Sequence, residues 1–94
     1  MKHELIKLMV WEKAEPIPGR NPNEFRIDCY GRIMKFSDYG RRDSTYGWEI
    51  DHILPKSKDG SDDITNLQAL HWLSNQRKRD HIITHNQFDN IIWE

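Results

Sequence analysis

The stretch from Gly47 to Asp80 constrains this chain more than any other part of it. Trp48 to Leu54 is a β-branched and aromatic run, halted by Pro55, whose ring fixes φ and leaves no backbone donor. Lys56 to Asp63 is a polar loop in which Asp59-Gly60 is a strong turn signal. After Asn66, Leu67-Gln68-Ala69-Leu70 alternates apolar and polar, which predicts a second short strand. A helix is expected from near Trp72 to about Asp80, with Ser74 and Asn75 early in it. The pattern is strand, loop, strand, helix.

Upstream of that core the signals are weaker. Leu5, Leu8 and Met9 sit at helical spacing, so residues 1–15 read as a short helix or arm. Glu15 to Pro22 holds three prolines and a glycine, through which neither a helix nor a central strand can run. Phe25-Arg26-Ile27-Asp28 and Ile33-Met34-Lys35-Phe36 each alternate, and Gly31 between them supplies a tight turn, so a hairpin is expected. Residues 37–47 form a polar loop that either holds the hairpin against the core or simply connects the two. Phe88, Ile91 and Ile92 fit a helix, yet Ile91-Ile92-Trp93 fits a terminal strand equally well.

With 94 residues, one domain is expected over 1–94, divided into a core at 47–80 and an N-terminal arm and hairpin at 1–46. The fold class expected is α+β, a small antiparallel hairpin region joined to a ββα core. At 36% hydrophobic and 31% charged, that core must be small. No apolar run approaches the roughly 20 residues that span a bilayer, no signal-peptide pattern is visible, and no membrane partner is expected. The single Cys29 forms no internal disulfide, which fits a reducing, cytoplasmic setting.

A net charge of −1 argues against a protein that coats nucleic acid by bulk electrostatics. Any such binding must come from local clusters: Arg41-Arg42, Arg77-Lys78-Arg79, and Lys56 with Lys58 on the loop. The ordinary account of such clusters is a solvated face.

The residue types in the core suit phosphodiester hydrolysis, which needs an activated water, charge neutralisation at phosphorus and help for the leaving oxygen. The His52 imidazole can act as a general base near neutral pH. Asp51 offers a hard carboxylate oxygen and Asn75 a carbonyl oxygen of the same kind. Two protein oxygens completed by water and phosphate oxygens suit Mg²⁺ or Mn²⁺. One geometric tension accompanies this reading. Neighbours on an ideal strand point to opposite faces, so Asp51 and His52 converge only if the strand twists, bulges or ends there.

These residues, with fourteen positions from His52 to Asn66 and nine more to Asn75, resemble the HNH endonuclease family and its ββα-metal motif. The resemblance covers about a third of the chain and makes it an H-N-N variant. It implies that Asp51 and Asn75 bind a divalent metal, that His52 is the base, and that Asn66 braces the loop. It also implies DNA as substrate, RNA being left open, with 5′-phosphate and 3′-hydroxyl products. Ser74 stands where many relatives have a zinc-knuckle cysteine, so metal-stapled folding is not expected. Phosphate contacts are expected from Lys56, Lys58, Arg77, Lys78 and Arg79, with a homodimer or larger nuclease assembly as the route to tight site recognition. If the helix reaches back far enough, His71, Asn75 and Arg79 share one face, and His71 joins the substrate contacts. Otherwise His71 is a partly buried histidine beside Trp72.

Each residue alone has a plainer account. An Asp-His pair is usually a surface hydrogen-bonded pair, Asn66 a turn residue, and Asn75 a solvated helix position. Two rival functions follow. One is a non-catalytic nucleic-acid-binding module with the ββα shape. The other is a small zinc-binding interaction domain using His81 and His85, at helical i, i+4 spacing, with Cys29.

Overall fold

A computed structural model of the chain describes residues 2–84, with side-chain surroundings through Arg79. It contains two helices and two small antiparallel sheets, the α+β architecture expected. Helix α1 spans Lys2–Lys13, with Glu4 in its first turn and Lys13 in its last, each at the end its charge favours. The face it buries is not the one that Leu5, Leu8 and Met9 suggest. Those three are largely exposed, and only Val10 and Trp11 are buried. The helix docks by its C-terminal part, through Val10 and the Trp11 indole.

The proline-rich segment does more than link. Glu15–Pro16 forms β1, which pairs antiparallel with β2 (Phe25–Ile27). This is an edge strand, a place where a proline costs no ladder hydrogen bond. Strand β3 (Ile33–Lys35) completes the expected hairpin, though its register sets Arg26 opposite Met34 and Phe25 opposite Lys35 instead of matching apolar with apolar at those positions. Gly31 takes the positive φ of 89° that the turn requires. Asp28 shapes that turn, one carboxylate oxygen accepting the N–H groups of Tyr30 and Arg32.

The second sheet pairs β4 (Trp48–His52) with β5 (Leu67–His71), Trp48 opposite His71 and Asp51 opposite Gln68. Helix α2 (Trp72–Thr84) follows β5 without a loop. His71 therefore lies in the strand, and the shared helix face proposed for His71, Asn75 and Arg79 is not formed. The tail containing Phe88, Ile91 and Ile92, and His85 with it, lies outside the described residues.

Strand β4 is the wall between two environments, and its period of two explains both. Trp48 and Ile50 pack toward α1, into a cluster with Val10, Trp11, Met34, Phe36, Tyr39, Leu67 and Ala69. The centroids of Trp11 and Trp48 are 5.0 Å apart, and Tyr39 meets Trp48 edge-on at 4.9 Å. Both buried indoles find acceptors, Trp11 at the Pro22 carbonyl (2.9 Å) and Trp48 at the Phe36 carbonyl (3.1 Å). Glu49 and Asp51 face the other way, toward α2.

The loop from Ser37 to Gly47 is tied down rather than merely connecting. Lys35 N–H donates to the Tyr46 carbonyl, Gly40 N–H to Trp48, and the Trp72 indole to Ser44. Gly47 is required by a close approach, since a Cβ there would run into the Arg41 carbonyl. No helix among the described residues is long and apolar enough to cross a membrane.

Candidate active site

The strand pairing of β4 stops at His52, and the chain bends at Ile53 and Leu54 before Pro55. Asp51, opposite Gln68, points toward α2, and His52, opposite Leu67, is the last residue of the strand. Both line an open cavity of about 270 Å³, together with Ile50, Pro55, Lys56, Asn75, Lys78 and Arg79.

Asn66 closes the loop that leaves this strand. Its amide nitrogen donates to the carbonyls of Leu54 (3.1 Å) and Ser61 (2.7 Å), and its side-chain oxygen accepts the Leu54 N–H at 2.9 Å. Backbone bonding from Ile53 N–H to the Asn66 carbonyl extends the same contact. One side chain thus joins the two ends of the loop beside His52.

His52 is oriented by a residue that the spacing argument does not reach. Its Nε2 lies 2.7 Å from Asp62 Oδ1. That carboxyl is held below its ordinary value of 3.8, first by the hydrogen bond to His52 and then by one to Lys56. An ionised carboxylate only accepts, so Nε2 carries the proton and Nδ1 is the accepting nitrogen of the neutral ring.

Asn75 is buried, with its amide nitrogen donating to Glu49 Oε1 at 2.7 Å. Glu49 is gripped in turn by Arg42, whose guanidinium binds both of its oxygens. The Arg42 hydrogen bond holds the Glu49 carboxyl below its ordinary value of 4.5, against the opposing effect of burial and with help from Asn75. With its nitrogen committed to Glu49, Asn75 leaves its carbonyl oxygen as the available atom. Asp51 is held by a single oxygen as well. Oδ2 accepts from Lys78 Nζ at 2.7 Å and from Gln68 Nε2 at 2.9 Å. Among the described residues, Oδ1 of Asp51 and Oδ1 of Asn75 have no hydrogen-bond partner.

The expected phosphate contacts separate into groups. Lys56 and Arg79 line the cavity, Lys56 pairing with Asp62 at 3.0 Å. Lys58 and Arg77 are exposed but do not line it, Arg77 being turned about 200° from Asn75 on the helix. His71 does not fit the role. It is buried, its Nδ1 accepts the Leu73 N–H, and its Nε2 therefore donates to the Thr45 carbonyl. Lys78 does not fit either, because its ammonium is enclosed by protein acceptors.

Among the described residues, no three of His, Cys, Asp and Glu assemble as a metal cage. Cys29 is exposed, with Sγ 3.7 Å from Gln68 Oε1. His85 and the His81 side chain lie outside what is described. Three contributors escape a reading of the sequence. Glu49 carried a signal, lying two positions before Asp51 and hence on the same strand face. Gln68 needed the β4–β5 register, and Asp62 carried no signal within its polar loop.

Residues 36–81 match the family model described as HNH endonuclease. No curated protein and no solved structure matches the chain significantly.

Proposed function

We propose that this chain, whose residues 36–81 match the HNH endonuclease family model, is a metal-dependent endonuclease that hydrolyses phosphodiester bonds of DNA. The observation that carries this reading is the convergence of Asp51, His52 and Asn75 on one cavity. The donor set fits a hard divalent cation such as Mg²⁺ or Mn²⁺. Asp51 and Asn75 each present one oxygen without a protein partner, and such ions keep much of their water shell. When bound, the ion supplies charge neutralisation at the phosphate and at the leaving oxygen.

The chain's own residues do the rest. His52 Nδ1 accepts a proton from the attacking water, and Asp62 holds the ring and stabilises the imidazolium that forms. Asn66 keeps the loop, and hence His52, in place. Lys56 and Arg79 are the phosphate contacts nearest the cavity, with Lys58 and Arg77 further out.

A plasmid-nicking assay across Mg²⁺, Mn²⁺ and Zn²⁺ tests the proposal. Nicking with Mg²⁺ or Mn²⁺ and 5′-phosphate ends is expected. His52→Ala should lower the rate by about 10²–10⁴-fold while metal affinity stays near that of the parent. Retention of more than about a tenth of the turnover would remove His52 from the base role. Binding of DNA without cleavage under every metal would favour the non-catalytic module instead.

A further inference from the structure

Lys78 lies among the candidate catalytic groups, but its surroundings are those of an interior residue. Its side chain is 12% exposed and that of Asp51 is 11% exposed. An ammonium has three N–H groups. Here three acceptors surround it: Asp51 Oδ2 at 2.7 Å, the His52 carbonyl at 2.8 Å and the Ile53 carbonyl at 3.3 Å. No donor is left for a phosphate. The same Asp51 oxygen takes a second donor from Gln68, the residue directly across the β4–β5 ladder. One carboxylate oxygen is thus fixed from two sides, and the other is free to face the cavity.

We propose that Lys78 is a positioning residue that clamps Asp51 and the end of β4, and whose charge holds down the affinity of the site for a divalent ion. The inference rests on the endonuclease reading and assigns Lys78 a part within it. The physical basis is direct. A lysine cation on one oxygen of a carboxylate repels a dication on the other, and it neutralises charge that would otherwise attract that ion. The two backbone carbonyls on the same ammonium belong to the residues where β4 ends, so the clamp also fixes where His52 sits. The site then holds its ion less tightly, but with the ligand and the base in fixed register.

Two variants separate this role from its rivals. Lys78→Met removes both charge and donors, and Lys78→Gln removes the charge while keeping an amide donor. Three measurements apply to each. These are calorimetric titration with Mn²⁺ alone, the salt dependence of duplex DNA binding without metal, and steady-state cleavage. Both variants should bind Mn²⁺ about fivefold to tenfold more tightly. Their kcat should fall about 10-fold to 100-fold with KM little changed, as expected when a reacting group loses its register. The slope of log affinity against log salt should be unaltered. A slope shallower by about 0.9 would make Lys78 a phosphate contact and overturn the proposal. So would Mn²⁺ affinity that is unchanged or weaker, or loss of folding in both variants. If the parent protein cuts no nucleic acid with any divalent metal, the endonuclease reading fails. The Mn²⁺ titration still decides the role of Lys78.

Discussion

Asn66 acts on its neighbours through hydrogen bonds, and Glu49 through hydrogen bonds and an ion pair with Arg42, so their variants test how the site is held more than the reaction itself. Asn66→Ala removes three hydrogen bonds across the loop, all near solvent. Water replaces part of each, and a loss of about 1–2 kcal/mol is expected by chemical denaturation. Asn66→Asp keeps the acceptor for Leu54 N–H and loses both donated bonds, so its stability should fall between parent and alanine variant. Equal stability of aspartate and alanine variants would show that the bonds donated to Leu54 and Ser61 dominate. Glu49 gives a pH signature. Its folded-state value is depressed, so its contribution to stability is present above its ordinary value of 4.5 and is lost as pH falls through the lower folded value. Glu49→Gln should therefore reduce stability at neutral pH and shrink the difference from the parent below pH 4.5. Thermal melts of both proteins across the acid range check this. A difference that grows on acidification would contradict the Arg42–Glu49 assignment.

Between elements, the join that matters is the one Asp28 makes. Its first oxygen organises the β2–β3 turn, and its second accepts the His71 N–H at 3.0 Å, where β5 becomes α2. Arg32, from the same turn, donates to Ser74 Oγ at 3.1 Å. The N-terminal sheet is thereby fastened to the strand–helix junction behind Asn75. Asp28 is 4% exposed, so Asp28→Ala would leave the buried His71 N–H and the partly buried Tyr30 and Arg32 N–H groups without their acceptor. A loss of about 3 kcal/mol follows, and for a domain of this size a melting temperature lower by more than about 10 °C. Differential scanning calorimetry reads it directly. The elements of the core were legible in the sequence because their signals are local. Pro55 marks the end of the β4 region, although the strand itself stops three residues earlier at His52. Asp59-Gly60 turns the loop, and the alternation of Leu67 to Leu70 marks β5. The spacing that links Asp51, His52, Asn66 and Asn75 was legible for the same reason. What was not legible depends on partners distant in sequence. The burial of Trp11 in place of Leu5 and Leu8, the pairing of Pro16, and the enclosure of His71 and Lys78 are all set by contacts that periodicity does not encode.

For the molecule as a whole, the decisive property is how few of its cations remain available. Net charge is −1, and most described basic side chains are committed internally. Arg42 holds Glu49, Arg41 holds Asp43, Lys78 holds Asp51, and Arg26 donates to three backbone carbonyls. Lys56, Lys58 and Arg79 are the best placed for a duplex, and three such contacts imply a salt slope of about −2.7. A single chain should therefore bind DNA weakly, with little sequence preference, and tight site recognition should require association of chains or a partner. Binding isotherms at several salt concentrations, run beside sedimentation at matching protein concentrations, test this. A monomer that bound one sequence tightly with a shallow slope would refute it.

The packing of Trp11 on Trp48 has an optical consequence. Two indoles with centroids 5.0 Å apart and planes inclined at 48° are coupled transition dipoles, and their excited states split. Such a pair gives circular dichroism an exciton couplet that neither ring produces alone. One chromophore rides on the first helix, and the other begins the strand that ends in Asp51 and His52. The couplet therefore reports, without any label, whether that strand is seated against the helix when metal or duplex is added.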